Sequence, residues 1–187
     1  LALHPAKLAW ERFPQAEAVL VFARALGAAR AGDVASARAD LDRLHVLREA
    51  MVTIKQNYWA GQAEIQSKEV EAWIALAEGD SEMALSLMRQ AATLEDATEK
   101  HPVMPGPIVP AHELLGEMLL MLEQPAAALG ELEASQSLEP NRFRGVYNAA
   151  RAAEEAGDHA KAHAFYEQLV VLGANGDSER AELVVAQ

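Results

Sequence analysis

Residues 143–169 read FRGVYNAARAAEEAGDHAKAHAFYEQL, and Gly157-Asp158 divides them into two Ala-rich stretches with apolar residues at helical spacing. Gly just past a helix end adopts the left-handed conformation without steric penalty, and Asp directly after it caps the next helix. The same pair stands at Gly32-Asp33 and Gly79-Asp80. Glu123-Gln124-Pro125 fills the corresponding place in a further copy, where proline suits the first turn of a helix. Four helix hairpins are expected.

Behind each turn one triplet recurs at i, i+4 and i+7: Ala37, Leu41, Leu44; Ala84, Met88, Ala91; Ala128, Leu132, Ser135; Ala162, Tyr166, Leu169. That spacing occupies one face of a helix. Ahead of each turn a small residue recurs, Ala25, Ala72, Gly116 and Ala150, where it lets the two helices of a pair approach closely. Ala162 follows Ala128 by 34 residues, whereas 47 separate Ala37 from Ala84 and 44 separate Ala84 from Ala128. Helices or loops are therefore expected to be longer in the first half.

In this pattern the chain resembles the tetratricopeptide repeat family, whose unit of about 34 residues carries small residues at its eighth and twentieth positions, a large one at the twenty-fourth and proline near the thirty-second. Residues 109–142 match through Leu115, Gly116, Leu119, Ala128, Leu132 and Pro140, and residues 143–176 through Ala150, Gly157, Ala162 and Tyr166. The two earlier units keep the small residues and turns, but hold Glu49 and Asp96 in place of proline and lack the aromatic at the fourth position. The resemblance implies an all-α fold, a right-handed superhelical solenoid of about four hairpins (units near 18–51, 65–98, 109–142 and 143–176) in a single domain over 15–187. Residues 1–14 are expected to be a lead-in segment or the remnant of a preceding unit. The four prolines of 101–110 predict a stiff loop, and 178–186 a short helix capping the last pair.

The resemblance further implies that the first helix of each pair lines a concave face. Its second, fifth, ninth and twelfth positions place Phe22 and Leu26, Glu69 and Trp73, Glu113 and Glu117, and Arg144, Tyr147 and Arg151 there. From the residues themselves, Arg144, Asn148 and Arg151 stand at i, i+4 and i+7 with Tyr147 beside them. Two guanidinium forks and an amide can clamp a carboxylate or an acidic peptide. The plainer reading pairs these arginines with Glu113, Glu117 or Glu139 as solvated surface charge. Trp73 is either a binding anchor or core, since Ile74, Leu76 and Ala77 follow it. The expected function is a scaffold that binds a protein or peptide, without catalysis and without a cofactor.

Composition excludes several other classes. With 28 acidic against 16 basic side chains, a net charge of -12 and no basic cluster, nucleic acid is not an expected partner. No apolar run is long enough for membrane insertion. The absence of cysteine removes disulfides, thiol nucleophiles and cysteine-bound zinc. Beginning at Leu1 rather than at Met, the sequence reads as a fragment whose signal peptide, if any, has been lost; the compartment is undetermined, with the cytoplasm as working assignment.

Weaker patterns support two alternatives. His159 and His163 stand at i, i+4 without a third ligand, and His112-Glu113-Leu114-Leu115-Gly116 resembles the start of a zinc-protease helix but has Gly116 where the second histidine belongs. No metal is expected. Gly173-Ala174-Asn175-Gly176 reads as a helix-ending loop, and the pairs Asp40/Asp42 and Glu154/Glu155 as exposed helix surface. One alternative is a metal-dependent or hydrolytic enzyme built on the histidine segments around 101–112 and 159–163. The other is a structural spacer, forming homo-oligomers through apolar helix faces at its ends. The 101–110 loop, with Met104, Ile108 and Val109, is expected to be a spacer, or else a built-in ligand of the concave face.

Overall fold

The computed structural model describes residues 10–99, 107–176 and 180–186. All regular structure among them is helical: a 3-10 turn at Trp10–Arg12, then α1 (Pro14–Arg30), α2 (Val34–Thr53), α3 (Asn57–Ala77), α4 (Ser81–Asp96), α5 (Ala111–Met121), α6 (Pro125–Leu138), α7 (Phe143–Glu155), α8 (His159–Gly173) and α9 (Ala181–Ala186). The chain divides into two compact units, Leu1–Ile108 and Val109–Gln187, where the sequence suggested one domain.

Each turn inside a pair follows one local rule. Gly32, Gly79 and Gly157 adopt φ of 79°, 86° and 80°. The following N–H groups of Asp33, Asp80 and Asp158 donate back five residues, to the carbonyls of Ala28, Ala75 and Ala153. These bonds close the ending helix in a Schellman-type motif. The same three aspartates accept from the backbone N–H of Ser36, Met83 and Lys161 and so open α2, α4 and α8. Bonds from Ser36 hold the Asp33 carboxyl below its ordinary value. In the remaining turn Glu123 takes φ 57°, Gln124 donates to the Leu119 carbonyl, and Pro125 begins α6 without a side-chain cap.

In the first unit α1 packs on α2 and α3, and α3 packs on α2 and α4. The core comprises Ala25, Leu26 and Phe22 of α1, Ala37, Leu41 and Leu44 of α2, Val70, Ala72 and Ile74 of α3, and Ala84, Met88 and Ala91 of α4. The triplets and small residues of these two pairs are thus buried, as their periodicity required. The longer of the two intervals comes from helix length, α2 and α3 running 20 and 21 residues against 14 and 13 for α6 and α7, whereas the interval from Ala84 to Ala128 is long because residues 97–110 separate α4 from α5, itself only 11 residues. Only Ile54, Lys55 and Gln56 link α2 to α3, Lys55 making the reversal at φ 61°, so α3 begins eight residues before the expected 65. Pro14 is the first residue of α1 rather than the end of a lead-in. Asp40 corrects another expectation: it is buried and pairs with Arg24 across the α1–α2 contact.

In the second unit α5 packs on α6 and α7, and α7 on α6 and α8. Gly116 shows what its small side chain is for: a Cβ there would lie 2.4 Å from Cγ of Leu132. Ala128, Leu132, Ala150, Ala162 and Leu169 are buried, while Tyr166 is partly buried and donates to Glu154 at 2.9 Å. Burial, then the hydrogen bond to Glu154, pushes the Tyr166 hydroxyl up to about 12. The short closing helix is present as α9. Its Leu183 is buried with Val146 and Leu169, flanked by Phe143, Phe165 and Tyr147, and fits beside Gly173, whose added Cβ would meet Leu183 at 2.6 Å. No described helix is long and apolar enough to cross a membrane. Residues 1–9 of the lead-in and 101–106 of the proline loop lie outside the described residues.

Candidate functional site

The candidate groove residues fall into two groups. Phe22, Leu26, Glu69 and Trp73 all belong to the first unit, and all are buried; Trp73 is 3% exposed and Glu69 1%. Trp73 therefore takes the core role of its two alternatives, with the Arg30 guanidinium 4.6 Å from its ring centroid. Burial also holds the Glu69 carboxyl well above its ordinary value, the charge of Glu95 adding to the effect. None of these side chains is presented to a ligand. Of the second-unit residues, Glu113 is likewise buried, where it accepts from Nε of Arg142 at 2.7 Å. Gly145 leaves room for that carboxylate, since a Cβ there would lie 3.1 Å from its Oε2.

Glu117, Arg144, Tyr147, Asn148 and Arg151 do come together. With Leu120 and Met121 of α5 and Glu182 of α9 they line a cleft of about 200 Å³. Pockets that hold drug-sized ligands and cofactors run from about 300 to 1,000 Å³, so this one has room for a single side chain. Helix periodicity explains the wall contributed by α7, because Arg144, Tyr147, Asn148 and Arg151 follow one stripe of it. Glu117, Leu120 and Met121 form the matching stripe at the end of α5.

The electrostatics are nearly balanced. Arg144 donates to Glu117 at 2.7 Å, and Arg151 donates to Glu155, one turn along its own helix, at 2.9 Å. Arg144 therefore makes the pair with Glu117 that the plainer reading named. Its side chain is 57% exposed, and ion pairs so placed are worth about 0–1 kcal/mol, which leaves its guanidinium exchangeable. Asn148 differs. It is 4% exposed, and its buried Nδ2 has no hydrogen-bond partner. A buried donor left so costs about 1–3 kcal/mol, recoverable by an acceptor that enters the cleft.

Three lining residues were not singled out in the sequence. Met121 is 59% exposed at the end of a mostly buried helix, and with Leu120 it belongs to the apolar run 118–122 that leads up to the turn of the hairpin. Glu182 carries no local signal, because only the return of α9 brings it to the cleft. The expected histidine pair lies elsewhere: His159 and His163 are exposed on α8, and His163 Nδ1 is 3.5 Å from Glu167. Among the described residues no three histidine or acidic side chains gather as a metal site. His112 contacts Glu131 at 2.7 Å across the α5–α6 pair. The sequence matches no family model, and comparisons with curated proteins and with solved structures find no match.

Proposed function

We propose that this chain is a protein-interaction module of tetratricopeptide type, whose hairpins form a right-handed superhelix and whose second unit holds a peptide segment in the cleft between α5, α7 and α9. One observation carries this reading: the unfilled Asn148 donor, buried among Arg144, Tyr147 and Arg151. Helix-on-helix packing within each unit supports it, since the first helix of one pair touches the first helix of the next, α1 with α3 and α5 with α7. A pocket for one side chain, with Leu120, Met121 and Tyr147 among charged walls and directed donors, suits recognition of a peptide residue. The reading includes no catalysis.

The test is capture on an immobilised peptide array, with the wild type beside Arg151→Ala and Tyr147→Ala. Helicity is followed by circular dichroism. Captured peptides should be lost from both variants while helicity stays unchanged. Equal capture by all three proteins would remove the cleft from consideration.

A second reading, self-association, is favoured by the exposed apolar side chains Val170, Val171, Leu172, Val184 and Val185 on α8 and α9. Sedimentation velocity across a hundredfold range of concentration separates it from a monomeric binder.

A further inference from the structure

Of the two acidic side chains that line the cleft, Glu117 pairs with Arg144 at 2.7 Å, whereas Glu182 is brought in by α9. It is the one acidic side chain of α9, a helix of six residues whose single buried side chain is Leu183. A helix this short has no stability of its own in water and stays in place only through its packing. Leu183 provides that packing, in the notch beside Gly173, and the Arg180 guanidinium lies 4.3 Å from the Phe143 ring centroid. Glu182 is thereby carried to a cleft whose other walls hold the unfilled Asn148 amide and two guanidinium groups, in exchangeable surface pairs with Glu117 and Glu155. It is not locked there: its carboxylate lies 3.6 Å from Arg180, a loose ion pair.

Building on the proposed binding role of this cleft, we propose that Glu182 is an internal competitor for an acidic group of the ligand, and that α9 is the strap a ligand displaces to enter. The chemistry follows from the donors. Arg144 and Arg151 select an anion, the planar Asn148 amide offers an N–H to an oxygen acceptor, and the small volume admits one side chain. A carboxylate meets all three requirements, and Glu182 already supplies one from within the chain. A ligand carboxylate gains the Asn148 bond and the guanidinium contacts, at the expense of the Leu183 anchor and the Arg180 contact with Phe143.

The probe is a fluorescent, acetylated and amidated peptide of residues 180–186, in which Glu182 is the only carboxylate, titrated into the full-length chain. A chain carrying Glu182→Gln, whose internal competitor is neutral, should bind it roughly two- to fivefold more tightly than the wild type. A chain carrying Leu183→Ala, whose α9 is unseated, should bind about tenfold more tightly or better. Circular dichroism checks that the remaining helices persist, and the conservative Glu182→Gln variant carries the test if they do not. The peptide with Gln in place of Glu182 should lose this gain, and the same Gln peptide with a free C-terminal carboxylate shows whether a terminal carboxylate restores it. If neither chain variant binds more tightly than the wild type, or if the Gln peptide binds the variants as well as the parent peptide does, the competitor role is overturned. Array capture that depends on Arg151 but ignores Glu182→Gln would reject the strap and leave the cleft itself standing.

Discussion

Glu69 and Trp73 stand one helical turn apart on α3, and both are buried with a polar atom unmatched, Oε1 of the carboxyl and Nε1 of the indole. Desolvation first, and then the charge of Glu95 on α4, raise the Glu69 pKa well above its usual value. The sign of the resulting pH dependence follows. Below the ordinary carboxyl pKa both the folded and unfolded chains carry the proton, and Glu69 imposes no ionisation penalty. Above it the unfolded chain ionises while the folded chain keeps its proton, so stability falls as pH rises toward the elevated native value. Glu69→Gln should flatten that decline. Urea midpoints of the two proteins should agree near pH 4.5 and separate by pH 8, the variant being the more stable; equal midpoints at both values would show that Glu69 ionises freely. The sequence placed Glu69 on the same stripe as Trp73, but the stripe alone said nothing of which side was wet. Burial came from α1 and α4 closing over it, and that contact is tertiary.

Elements follow from local chemistry more fully. Gly116 faces a fully buried Leu132 with no space for a methyl group, so Gly116→Ala should overpack the α5–α6 contact. Overpacking of about 1–3 kcal/mol outweighs the roughly 1 kcal/mol that alanine gains in a helix, and chemical denaturation should show a net loss of about 1 kcal/mol. In a Leu132→Ala background the same change should stabilise, because the obstructing side chain is gone. Glu123 presents the opposite case, a residue with a Cβ where the other three hairpin turns use glycine. Left-handed backbone costs such a residue about 1–2 kcal/mol, part of which glycine returns as chain entropy. Glu123→Gly should therefore raise stability by about 0.5–1 kcal/mol, and an unchanged denaturation midpoint would mean that the turn is unstrained. The Gly-Asp turns were legible because each is settled within about six residues. The lengths of α1 to α4 were not, because extended helices and extended loops produce the same interval between turns.

For the whole chain, charge is the dominant global quantity. A net charge of -12 sets repulsion against ion pairs that lie mostly at the surface, such as Arg38 with Glu78 and Arg151 with Glu155. Exposed pairs contribute little each, and raising salt from 0.1 M to 1 M shortens the screening length from about 10 Å to 3 Å. Relief of self-repulsion should win, raising the thermal midpoint in sodium chloride; a fall would show that the ion-pair network outweighs the net charge. The helical class, the turns inside each pair, the buried alanine stripes and the division into pairs were determined by the sequence alone, since each depends on residues a few positions apart and on one 3.6-residue period. Which of the aligned candidates faces solvent was decided only by the tertiary structure. The same spacing buries Phe22, Glu69, Trp73 and Glu113 yet leaves Arg144, Tyr147 and Arg151 lining a cleft, because side-chain exposure depends on the helix that arrives from elsewhere in the chain, as α9 does with Glu182.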